Sequence, residues 1–393
     1  MPDSQPLGFN PLVNLASPQL GATVVSASDE FFTAKEAVLE PNDPVPGDGR
    51  FSDRGRWVDG WLTRRRREPG WEWLTIGLGQ AGLVEGVDLD FRHLDGNHPE
   101  SISIDACMLP TSTPINRFTV ERFLWSQVLP QTKIEPGVVN RFEINSSYRY
   151  THLRLNLHPD GGVARVRVWG VGVRERLDGD VDLAAILNGA YVDLVSDQTF
   201  GQAQNMLMPG FAGNVSEGWC TRRLRGEPGY EWAEIELPGE SIVRRIEINT
   251  ACYHGDYPDL CQLDDCATGK SLLDPIRLAG DQTLRFLPSA ANIPASRVCL
   301  KIYPDGGIAR LRLFGSLTEH GHENHRMLLR NTLPPPDAVV WFQQCFNNEE
   351  WARQMTSARP FPSLEQMKET GDHIASVLGL RYDAGALRAK LQL

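Results

Sequence analysis

The chain contains itself twice. WLTRRRREPGWEW (61–73) recurs as WCTRRLRGEPGYEW (219–232), with Gly226 as a single insertion. DLDFRHLDGNHPE (88–100) aligns with EINTACYHGDYPD (247–259), and HPDGGVARVRVWG (158–170) with YPDGGIARLRLFG (303–315). Upstream, Ser28-Asp29, Phe32, Leu39 and Pro41 match Ser196-Asp197, Phe200, Leu207 and Pro209 at one offset. The order is the same in both copies, so the unit is a duplicated domain of about 150 residues, too long for a solenoid repeat.

Each copy reads as β-structure. Leu153, Leu155 and Leu157 alternate with Arg154, Asn156 and His158, and Val87, Leu89 and Phe91 with Asp88 and Asp90. A period of two puts the apolar set on one face of a strand. Pro-Asp-Gly-Gly at 159–162 and at 304–307 supplies turn chemistry between the last two strands of each copy. The expected fold is all-β, two tandem β-sandwiches, each a sandwich or jelly roll, followed by a short helical segment. The expected boundaries are an N-terminal extension over 1–19, repeats at 20–170 and 191–316, and linkers at 171–190 and 317–337. From Ala338 the spacing of Val339, Phe342, Cys345 and Phe346 becomes helical, and Ser363 with Gln366 reads as a capping box, so 338–393 is expected to be helical.

Composition narrows the partners. Lys+Arg 39 against Asp+Glu 50 leaves a formal charge of −11, the wrong sign for nucleic acid or an anionic membrane. No apolar run nears the roughly 20 residues that span a bilayer. The start of the chain lacks the basic and apolar regions of a secretory signal, and seven cysteines suit free thiols in a reducing compartment. A cytoplasmic location is expected.

The blocks DGWLTRRRREPGWEW and EGWCTRRLRGEPGYEW, followed by HLDGNHP and YHGDYP, resemble allantoicase over residues 20–316. The resemblance implies two jelly-roll repeats, a homo-oligomer, and hydrolysis of allantoate to ureidoglycolate and urea. The alternative, from a different class, is a non-catalytic ligand-binding or scaffold protein built on the same frame. The chain departs from the family pattern where DGWET has its glutamate, which here is Leu62 and Cys220, and where copy two has Cys252 in place of a histidine. In the tail, Trp351, Met355 and Arg359-Pro360-Phe361 with Ser363 resemble the beginning of ureidoimidazoline decarboxylase, without that family's later His-Pro segment. The implied module is truncated and inactive.

Allantoate carries one carboxylate and two ureido groups on a single carbon. Its carboxylate calls for an arginine fork, and departure of urea calls for proton transfer. Arg64 and Arg65 recur as Arg222 and Arg223 and are the expected substrate-binding forks; Arg66 and Arg67 read rather as an ion-pair network or a solvated edge. His93, Asp95 and His98 share a Gly-containing loop and are the expected catalytic groups with Asp59, which stands beside the Gly-Trp pair as Glu217 does in copy two. Capping of backbone groups is the competing role for each histidine, and closing a turn for Asp59. His254 and Asp256 are the copy-two counterparts on the binding side. Trp61, Trp73, Trp219 and Trp232 are expected to pack the core. No cofactor is evident. His320, His322 and His325 have only crude ligand spacing and Cys252, Cys261 and Cys266 lack paired spacing, so no metal site is assigned.

Overall fold

The computed structural model describes residues 12–109, 124–225, 229–381 and 383–392. Residues 1–11 of the expected extension and the Gly226 insertion lie outside them. In the first repeat the 19-residue strand Glu72–Asp90 organises the sheet. Its first half pairs antiparallel with Thr23–Ala27 and with Arg149–His158, and its second half with Arg165–Gly172 and Val139–Glu143. One strand thus serves two groups of neighbours. Glu231–Asn249 does the same in the second repeat, between Tyr191–Val195 and Pro294–Tyr303, then between Arg310–Leu317 and Thr283–Phe286. The chain is mostly β, in two repeats, with a helical C-terminal segment.

The period-two pattern sorts as expected. Leu153, Leu155 and Leu157 are buried, as are Val87, Leu89 and Phe91. Trp61 and Trp219 are fully buried, and each donates its indole N–H to a main-chain carbonyl, Asp29 (2.7 Å) and Asp197 (2.8 Å) respectively. Trp73 and Trp232 are only half-buried.

Three boundaries differ from expectation. Val13–Asn14, inside the expected extension, pairs with Trp169 and Gly170, and Val181–Asp182, inside the expected linker, pairs with Phe314 and Gly315. Two-residue strands are too short for periodicity to reveal. The expected linker at 317–337 contains the helix Glu319–Asn331, whose N-cap Thr318 accepts from Gly321 N–H. Its buried face is Gly321, His325, Met327 and Arg330, a mostly polar set that carries no apolar period.

That helix docks on both repeats. Thr318 N–H donates to Glu240 O (2.9 Å) in the second. In the first, Arg174 O lies 2.8 Å from His325 Nε2, and the guanidinium of buried Arg149 donates to Thr332 Oγ1 (2.9 Å) and Leu329 O. Beyond it Pro335–Cys345, Glu349–Ser357, Leu364–Val377 and Ala384–Gln392 enclose a separate core of Phe342, Trp351, Met355, Met367 and their neighbours. Ser363 caps its helix by accepting from Gln366 N–H (3.2 Å), as expected. All seven cysteines are free thiols, and among the described residues no helix is long and apolar enough to cross a membrane.

Two outcomes follow from this packing. Arg149→Ala removes charged hydrogen bonds worth about 1.5–3 kcal/mol each, so deuterium uptake should accelerate in residues 319–392 while the first repeat keeps its protection. His152 is 2 % exposed, and burial pushes its pKa down to about 4. An unfolded histidine takes its proton near pH 6.5 and the folded one does not, so this contribution is complete above that pH and is lost as pH falls toward 4. Urea midpoints should decline by up to roughly 3 kcal/mol equivalent across that window, and less so in His152→Gln.

Candidate functional site

Three segments meet at one end of the first repeat. Trp61–Leu62 pairs with Gly162–Val163. Thr63 N–H donates to Gly161 O (3.1 Å), and Gly162 N–H donates to Asn97 O (2.7 Å). Gly161 has φ +139°, and a Cβ there would lie 2.6 Å from Pro99 N, so the turn requires glycine in order to touch the 97–99 loop. The same zipper recurs in copy two, where Thr221 N–H donates to Gly306 O (3.2 Å) and Gly307 N–H to Asp256 O (2.8 Å).

Each repeat opens a cleft against this frame. The first, of about 940 Å³, is lined by Arg56 and by Arg64 to Arg67, with Asp29, Glu68, Glu72, Leu62 and Asn97. The second, of about 830 Å³, is lined by Arg223, His254, Asp256, Asp259, Asp305 and Cys220. The substituted glutamate positions, Leu62 and Cys220, therefore both face clefts. Burial and nearby Asp256, Asp197 and Asp305 push the Cys220 thiol pKa up, which keeps it protonated.

The four arginines have separate fates. Arg64 is held by Asp29, whose carboxylate accepts from Arg64 N–H (2.7 Å), Nε (2.9 Å) and Nη2 (2.8 Å). Arg66 donates its main-chain N–H to Asp160 (2.7 Å) and its Nη1 to buried Glu72 (2.8 Å), which also accepts from Ser28 Oγ. Arg65 and Arg67 are exposed in the cleft and have no ion-pair partner among the described residues. Copy two repeats half of this arrangement. Arg222 N–H donates to Asp197 (2.7 Å), and Arg223 has no ion-pair partner among the described residues. Of the two expected forks, then, the first is bound by an aspartate and the second is free. Arg67, expected in an ion-pair network or on a solvated edge, is exposed and has no ion-pair partner among the described residues.

The expected catalytic residues lie around the first cleft, not along its walls. His93 is exposed at φ +61°. Asp95 forms an ion pair with Arg56, which does line the cleft. His98 Nδ1 lies 3.0 Å from Pro99 O. Asp59 is committed elsewhere, accepting from Val45 N–H (2.9 Å) and Arg165 Nη2 (2.8 Å). Burial alone would raise its pKa, but the bonds from Arg165 and Val45 outweigh burial and hold it below the ordinary aspartate value. Glu217 closes a turn onto Gly213 N–H (2.9 Å). In copy two Arg223, His254 and Asp256 do come together, with His254 Nδ1 3.8 Å from Asp281.

Sequence reading missed Asp29, Glu68, Glu72 and Asn97 as cleft residues. The signal for Asp29 was present in the matched Ser-Asp pair, and for Asn97 in the HLDGNHP block. Among the described residues no group of three or more His, Cys, Asp or Glu is arranged to hold a metal ion. His325 is buried in its helix, and His320 Nε2 lies 3.0 Å from Asn324 Nδ2.

The allantoicase-repeat family model matches residues 13–173 and again 181–318. The chain belongs to the allantoicase family. It is 41% identical over 325 residues to probable allantoicase 2 of Burkholderia pseudomallei, covering 78% of this chain and 95% of that relative. With the probable allantoicase of Ralstonia nicotianae it shares 38% over 323 residues, covering 77% and 94%. The crystal structure of allantoicase from Saccharomyces cerevisiae superposes with a TM-score of 0.67 at 32% identity, over 77% of this chain and 93% of that one. The family match begins at the short strand Val13–Asn14 and resumes at Val181–Asp182, where the sheets themselves begin.

The pairing separates stability from binding within the arginine run. Arg66→Ala strips Glu72 of its guanidinium partner and should cost about 1–3 kcal/mol. Arg65→Ala should stay within about 0.5 kcal/mol of the parent. Urea unfolding of the two variants checks the contrast.

Proposed function

We propose that the first-repeat cleft binds allantoate and hydrolyses it to ureidoglycolate and urea. The observation that carries the choice of cleft is charge. Five arginines face three carboxylates in the first cleft, whereas one arginine faces three aspartates in the second. An anionic substrate is drawn to the first and repelled by the second. Arg65 and Arg67, whose guanidiniums no carboxylate neutralises among the described residues, receive the substrate carboxylate as a planar fork. The ion pairs of Arg64 and Arg66 make those two residues walls of the site.

The reaction breaks one C–N bond at the central carbon and places a water oxygen there. Urea nitrogen gains one proton and water loses one, so a single carboxylate can take the proton from water and return it to nitrogen. Asp29 and Glu72 are committed to arginines. Glu68 lines the cleft with no ion-pair partner among the described residues and is the group we assign to that transfer. His98, on the loop that brings Asn97 to the cleft, stands next in line as a proton donor, followed by the exposed His93, while Asp95 is committed to Arg56.

Jelly-roll wiring of each repeat, a homo-oligomer and a cytoplasmic location belong to this reading. The shared long strands, the family and the free thiols support them in turn. The C-terminal helices are read as a decarboxylase-like segment. Leu62 and Cys220 favour the rival reading of a ligand-binding protein, because each removes a carboxylate from a cleft that the family pattern would supply.

Urea release from allantoate by the full-length protein decides between the two. Release is expected, and Arg65→Ala should lower kcat/KM by about tenfold to a hundredfold, the 1.4–2.8 kcal/mol of a charged fork. Folded parent protein that binds allantoate and releases no urea would establish the rival.

A further inference from the structure

Pro-Asp-Gly-Gly closes a turn in both repeats, yet the turn does more than reverse the chain. Asp160 Oδ2 accepts from Arg66 N–H at 2.7 Å, and in copy two Asp305 Oδ2 accepts from Leu224 N–H at 2.8 Å. Two residues earlier Asp29 Oδ2 accepts from Arg64 N–H at 2.7 Å, and Asp197 Oδ1 from Arg222 N–H at 2.7 Å. In both copies the central residue, Arg65 or Arg223, therefore lies between two main-chain N–H groups, each pinned by a carboxylate. The residue after the clasp has diverged from Arg66 to Leu224 while the clasp has stayed, so it does not depend on that side chain.

We infer that Asp29 and Asp160 are positioning residues that hold the Arg65 backbone and leave its guanidinium free for the substrate carboxylate. This rests on the reading of the first cleft given above. An exposed arginine in a flexible loop loses rotamer and backbone freedom when it binds, and that cost weakens ground-state binding. With the backbone fixed on both sides, only side-chain freedom remains to be lost. The carboxylates also place negative charge beside a run of four cations, which lets Arg65 approach Arg64 and Arg66 without net repulsion. Neither aspartate need touch the reacting carbon, so their loss should appear in KM and not in kcat.

The test uses full-length protein and steady-state urea release. Asp160→Ala should raise KM for allantoate about five- to twentyfold with kcat within twofold. Asp160→Asn, whose Oδ1 can still accept from Arg66 N–H, should recover most of the loss. Added to Arg65→Ala, Asp160→Ala should change KM no further, because the residue that it positions is gone. A further, multiplicative loss in the double variant, or a fall in kcat at unchanged KM, would overturn the inference and leave the site reading intact. Wild-type kinetics in Arg65→Ala would remove the site reading and this inference together. Should Asp160→Ala not fold, Asp160→Ser, whose hydroxyl stops one atom short of the carboxylate oxygen, takes its place in the same cycle with the same outcomes deciding.

Discussion

Four consecutive arginines repel one another, and the first cleft exists because carboxylates drawn from distant parts of the repeat relieve that repulsion unevenly. Asp29 takes Arg64, while Asp160 and Glu72 take Arg66. The pinned residues alternate with the free ones, Arg65 and Arg67, so the run presents two uncompensated guanidiniums from a backbone that is itself fixed. Loop, turn and strand are joined to make this possible. Thr63 bonds to Gly161, Gly162 to Asn97, and the buried indole of Trp61 to the carbonyl of the same Asp29 that holds Arg64. In a chain of net charge −11 this is a local inversion of sign, and it is what qualifies the cleft for an anion.

Duplication supplies an internal comparison. Both copies keep the buried tryptophan, the threonine zipper and the two carboxylate clasps, which are properties of the frame. They differ in what the frame presents. Asn97 becomes Asp256, Arg66 becomes Leu224, and an arginine-rich wall becomes an aspartate-rich one. The difference is one of cleft side chains on a common frame, and it is partial, since Arg65 and Glu72 keep their types as Arg223 and Glu231.

How much of this could be read from the chain depends on how far apart the interacting residues lie. Period-two strands, the duplication and the arginine run are local patterns, and they stand in the structure as the sequence suggests. Which arginine is free is not local. The answer lies with Asp29, 35 residues before Arg64, and Asp160, 94 residues after Arg66. Equal candidates in sequence, Arg64 and Arg65 separate only when those partners arrive. The histidines of the 93–98 loop misled in the opposite sense. Their residue types suit proton transfer, but the backbone at His93 and Asp95 takes positive φ and turns the loop so that Asn97 lines the cleft instead. The helix Glu319–Asn331 escaped detection because its buried face includes His325 and Arg330, whose partners are main-chain carbonyls and an aromatic ring rather than an apolar core.

The strand Arg149–His158 links these two kinds of hidden contact. At its end, His158 leads into the turn whose Asp160 holds the arginine run; at its start, Arg149 holds the C-terminus of the helix Glu319–Asn331. Ten residues of extended chain separate the two by roughly 30 Å. The C-terminal helices are therefore anchored at the end of this strand away from the turn. The strand between them is buried on one face by Leu153, Leu155 and Leu157. The N-cap of the same helix, Thr318, bonds to Glu240 of the second repeat, so one helix is tied at its two ends to the two copies.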